Sequence, residues 1–192
     1  MDLIKLALEP RGGPVPEPEV AAAVVEAAHA AGKPVTAHAL TLAMVERALD
    51  AGVDELAHMP VEVLPGSLVG RLATAGTRVV GTMQTLLRDV SSDGVLVNAK
   101  AMVAAGVEVR YGTDLGNAGT KPGADPGELR LLSDTGLGAD GALRAATRPV
   151  VVGDHAGAVA LSADPRVDPD VWRRPLAVVC GQTALTRRGQ AD

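Results

Sequence analysis

The chain has 192 residues, 47% of them hydrophobic and 21% charged, with a formal net charge of −5. That length and apolar content allow one domain with a real core and argue against disorder. The acidic balance without a basic patch, together with one Trp (Trp172), one Tyr (Tyr111) and no Phe, argues against nucleic-acid binding. The lone Cys180 excludes an internal disulfide framework.

The N-terminal run Met1–Lys5 lacks the pattern of a signal peptide, and no apolar stretch reaches the roughly 18 residues that span a bilayer. A soluble, cytoplasmic protein is expected. In chain order, Leu3–Leu8 reads as a strand and residues 10–18 as a Pro-rich loop. Glu19–Ala31 reads as a helix stopped by Gly32. Strand Pro34–Ala39 follows, then helix Thr41–Ala51 stopped by Gly52, and strand Val53–His58. Helix Pro65–Ala75 stops at Gly76, strand Thr77–Thr82 follows, and Met83–Ser92 reads as a loop. Helix Val95–Ala105 stops at Gly106 before strand Val107–Gly112 and a Gly-rich loop over 115–127. Two short helices are expected near 126–134 and 138–147. Beyond Pro149, short strands are expected at Val150–Val152, Ala158–Leu161 and Leu176–Val179.

The unit helix, Gly, strand recurs four times, which is repeated βα architecture with a parallel sheet. Right-handed crossovers place the five strands side by side. Periodicity alone leaves an open doubly wound sheet and part of a barrel as alternatives.

In βα folds the chemistry sits where strands end. Those ends carry Thr36-Ala37-His38, Glu55-Leu56-Ala57-His58, Thr82-Met83-Gln84-Thr85 and Tyr111-Gly112-Thr113-Asp114, and the first strand carries Lys5. Imidazoles and a carboxylate on neighbouring strands can converge on one ion. The plainer alternatives are polar residues capping loops at His38 and His58, a solvated Lys5, and a loop-capping Asp114. His29, inside a helix, reads as a surface residue, and His155 carries no assigned role.

These segments resemble the amidohydrolase superfamily, in its imidazolonepropionase- and prolidase-like branch. The run from Asn98 to Asp114 is similar to that family's last barrel strand, and the His38 and His58 segments to its two middle metal-binding histidines. Asp2-Leu3-Ile4-Lys5 resembles the strand whose lysine is carboxylated to bridge two metals, and residues 126–147 resemble the helices that follow. The resemblance implies an α/β fold, a partial (β/α)8 TIM-like barrel of about five βα units over 1–149, with a short, degraded β-sandwich-like tail over 150–192. It implies Lys5, His38, His58 and Asp114 as metal ligands, Asp114 doubling as general base, and Zn2+ or another divalent metal, with Lys5 carboxylated.

The family's first strand bears a His-x-His pair, and no His-x-His occurs in this chain. The expectation is therefore a truncated or split metal-dependent hydrolase acting on an amide, cyclic amide or related C–N bond of a small molecule. The alternative is a non-catalytic half-barrel, without metal, that serves as a binding or structural subunit or runs metal-free chemistry. Either way, unpaired edge strands and an inner face of aliphatic layers would need covering, by a homodimer mate or by a partner chain that completes the barrel. The substrate is not legible in these residues.

Overall fold

The structure, a computed structural model, describes residues 3–89, 93–147, 157–180 and 183–186. Five strands, β1 (Ile4–Leu8), β2 (Val35–Ala39), β3 (Glu55–Leu56), β4 (Arg78–Val80) and β5 (Val109–Arg110), form one parallel sheet. Their order is β1-β2-β3-β4-β5. A doubly wound sheet reverses its winding at a switch point. Here every step runs the same way, so right-handed crossovers put four crossover helices on one face. This is part of a TIM-like barrel.

Those helices are α1 (Pro18–Ala30), α2 (Leu42–Asp50), α3 (Gly66–Ala75) and α5 (Gly94–Ala104). The glycines that follow them, Gly32, Gly52, Gly76 and Gly106, all take positive φ, from 66° to 83°. Each reverses the chain into the next strand at no Cβ penalty. The outward residues of the strands, Leu6, Leu8, Val35, Ala37, Leu56, Val79 and Val109, are buried. They pack against Val25, Val45, Leu72 and Met102 of the helices, and this layer is the core.

The opposite face corrects an expectation. Parallel strands normally read as near-continuous apolar runs; here the inward positions are mostly polar, with Ala7 and Val80 the apolar ones. The ladder aligns Lys5 with Thr36, Thr36 with Glu55, and Glu55 with Arg78. Glu55 lies 3.6 Å from Arg78 and 3.4 Å from Arg110, which also pairs with Glu108 at 2.7 Å. The inner face is therefore a charged row and not an aliphatic layer. Lys5 and Ala7 on it are exposed.

A second correction concerns residues 83–92, expected as a loop: Met83–Asp89 is a helix, α4. The expected strand Val53–His58 shrinks to Glu55–Leu56, because only these two residues find ladder partners on β2 and β4.

After β5, α6 (Pro126–Leu132) and α7 (Gly138–Ala146) are joined by a wide turn, Ser133–Leu137, in which Gly136 takes φ 111°. The later residues form a separate antiparallel sheet of β6 (Ala158–Ala160), β7 (Ala177–Cys180) and β8 (Thr183–Thr186). β6 and β7 match expected strands; β8 was not expected. Val150–Val152 and His155 lie outside the described residues. A 3-10 turn, Pro169–Arg173, sits against α6 through the Arg130–Asp170 ion pair. Among the described residues, no helix is long and apolar enough to cross a membrane.

Candidate metal centre

His38 is the last residue but one of β2, and His58 follows β3 by two residues. Their rings meet edge to face, with centroids 4.7 Å apart and planes inclined by 71°. His58 is buried at 5% exposure, whereas His38 is half-buried. Nδ1 of His58 lies 3.3 Å from Thr82 Oγ1 and 3.9 Å from the Asp114 carboxylate. Both neighbours can accept a proton donated by Nδ1, a tautomer that keeps the Nε2 lone pair free. Nε2 of His38 lies 3.3 Å from Glu9 Oε2.

Burial, aided by the proximity of His38 and Lys5 and opposed by the pull of Asp114, brings the His58 imidazole down to about 4. The ring is thus neutral at neutral pH, the form that ligates metal, and its contact with Asp114 is a dipole–charge contact. The Glu9 carboxyl is held below its usual value, first by the backbone N–H of Arg11 and then by His38.

Two residues after β4 and four after β5, the backbone turns sharply. Thr82 has φ 50° and Asp114 has φ 53°, and these are the only non-glycine residues with positive φ among those described. For a β-branched threonine this region is strained. Strain at a pair of neighbouring strand ends points to a function for the geometry they hold.

The structure brings together His38, His58 and Asp114 among the residues singled out from sequence. Lys5 points to the same face, but its ladder partner is Thr36 whereas that of His38 is Ala7. It therefore starts about 7 Å further down the strand, within reach of an extended lysine side chain. Two residues were missed. Glu9 directly follows β1, and the strand-end rule would have found it. Thr82 was noted at its strand end without a role.

The donor types fit a divalent cation: two imidazoles, a carboxylate and an amine that carboxylation would make anionic. His38, His58, Asp114 and Lys5 would hold it. Among the described residues no three His, Cys, Asp or Glu side chains already surround one point, so the set is convergent but not closed.

No protein-family model matches the sequence, and no curated protein matches it. Solved structures do. A Xaa-Pro dipeptidase with bound methionine in its active site aligns over 97% of this chain and 55% of its own, with a TM-score of 0.81 and 21% identity. An amidohydrolase aligns over 97% and 54%, at 0.76 and 21%. Ochratoxinase from A. niger aligns over 96% and 50%, at 0.76 and 22%. The chain has the partial TIM-like fold of these structures. It spans about half the length of the solved chains it matches.

Proposed function

We propose that this chain carries the later half of the active site of a metal-dependent amidohydrolase, acting on an amide, cyclic amide or related C–N bond. One observation carries the reading: a buried His58 meets His38 edge-on while the Asp114 carboxylate approaches it from the next strand end but one. The fold shared with a dipeptidase, an amidohydrolase and ochratoxinase supports hydrolysis as the reaction class.

A divalent cation, Zn2+ among the candidates, would supply Lewis acidity toward the scissile carbonyl. The residues of the chain do the rest. Asp114 takes the proton of the attacking water and returns it to the leaving nitrogen. Thr82 fixes the tautomer and plane of His58, and Glu9 does the same for His38. The charged row of Glu55, Arg78 and Arg110 lies on the same inner face, nearer the bottom of the barrel.

A second reading rests on the exposure of Lys5 and Ala7, which leaves the inner face open. On that reading the chain is a non-catalytic binding or structural subunit. Metal content per chain on a folded, size-resolved peak, for wild type and His58→Ala, separates the two. About one ion per chain, lost in the variant, supports the hydrolase half-site. A folded chain that stays metal-free after zinc and bicarbonate are added leaves the binding-subunit reading.

A further inference from the structure

Glu128, in α6, is fully buried. Its Oε1 accepts the Met83 N–H at 3.1 Å and its Oε2 accepts the Gln84 N–H at 2.7 Å. These amides open α4, where the first N–H groups of a helix have no partner of their own. The carboxylate also crowds Gly81: a Cβ there would run into Oε1. The spacing Asp125-Pro126-Gly127-Glu128 is a capping-box spacing, in which the Glu returns to the N–H of its own cap residue. Here that N–H goes to the Tyr111 hydroxyl instead, and Glu128 serves a different helix.

α4 lies between the two halves of the candidate site. Thr82, just before it, touches His58 Nδ1 through Oγ1 and donates its N–H to Gly112 O at 3.1 Å. Thr85, within it, donates its hydroxyl to Thr113 O at 2.8 Å, the carbonyl that precedes Asp114. One helix therefore ties to both His58 and Asp114, and a single buried carboxylate pins its start.

We infer that Glu128 is a positioning residue that sets the placement of His58 against Asp114 through α4. The inference rests on reading that pair as part of the metal site, but its test needs no metal. Ring 15N resonances of His58, the carboxyl 13C resonance of Asp114 and amide exchange are followed by NMR on the metal-free full chain, at one pH above 7, where Glu128 is the carboxylate. The variants are Glu128→Gln and Thr85→Ala.

In Glu128→Gln an amide NH2 must face one of the two N–H groups. Met83 and Gln84 should exchange roughly ten- to a hundredfold faster. The His58 ring and Asp114 carboxyl resonances should move with them. Thr85→Ala should leave those two amides as in wild type and move the Asp114 resonance alone. Faster exchange with both site resonances at their wild-type positions would overturn the inference and make Glu128 a local cap. Should Glu128→Gln fail to fold, an unmoved Asp114 resonance in Thr85→Ala overturns it equally. A chain that binds no zinc would defeat the hydrolase reading and leave these NMR outcomes unchanged.

Discussion

The rings of His38 and His58 lie edge to face at 4.7 Å, each braced on its far side by an oxygen from another strand end, Glu9 for His38 and Thr82 for His58. A ligand and a brace differ in what their loss does. Loss of a bracing hydrogen bond typically costs about ten- to a hundredfold in metal affinity. Thr82→Val and Glu9→Gln should fall in that range by zinc competition titration. His38→Ala and His58→Ala should exceed it. Equal losses in all four would mean the histidines do not ligate.

Asn98 is 1% exposed and accepts the Leu64 N–H at 2.9 Å while donating to Pro60 O at 3.0 Å and Glu62 O at 2.7 Å. It holds the segment that leaves His58. Next to it, Gly94 packs so closely on the backbone of Val61 and Glu62 that a Cβ cannot fit. Asn98→Leu leaves three backbone groups unsatisfied, one donor and two acceptors. At about 1 to 3 kcal/mol for each group that stays buried, a loss of about 3 kcal/mol is expected by urea unfolding. A loss below 1 kcal/mol would show that water replaces the amide.

Gly81→Ala should be costly for a different reason. The new methyl meets a carboxylate that two N–H bonds hold in place, so neither side can yield freely. Overpacking of this kind costs about 1 to 3 kcal/mol. In a Glu128→Ala background the obstacle is gone, and the same substitution should cost much less. A double-mutant cycle measures the difference as a coupling energy. Additive effects would mean the crowding is relieved elsewhere.

The recurring helix, Gly, strand unit was legible because each part is local: an apolar helix face, a residue that accepts positive φ, and a β-branched run. That was enough for the strand order and for the position of His38, His58 and Asp114 at neighbouring strand ends, where the structure brings them close together. α4 was not legible, since its start is preceded by a strained Thr82 and capped by Glu128, 45 residues away. No local pattern announces a cap that distant. The polar inner face is legible in the residues themselves: Lys5, Thr36, Glu55 and Arg78 alternate with buried apolar residues at period two, in place of the aliphatic layers general to barrel interiors.

Two buried groups set opposing pH dependences. His58 falls from 6.5 to about 4 on burial, so the unfolded chain binds more protons than the folded one across that window. Its contribution to stability is present above 6.5 and is lost as pH falls toward 4. Glu128 rises from 4.5 to about 7, also by burial, partly offset by the Gln84 and Met83 N–H groups. Its contribution is present below 4.5 and is lost as pH rises through 7. Each shift corresponds to at most about 3 kcal/mol. Between about 4.5 and 6.5 the two slopes cancel, and unfolding free energy of the metal-free wild type should be nearly flat with pH. His58→Asn removes the rising component, so its stability should fall as pH increases across the window. Glu128→Gln removes the falling component and should show the reverse. Urea midpoints measured at several pH values for the three proteins give the slopes directly. Parallel profiles for wild type and both variants would mean that neither group is desolvated as its burial implies.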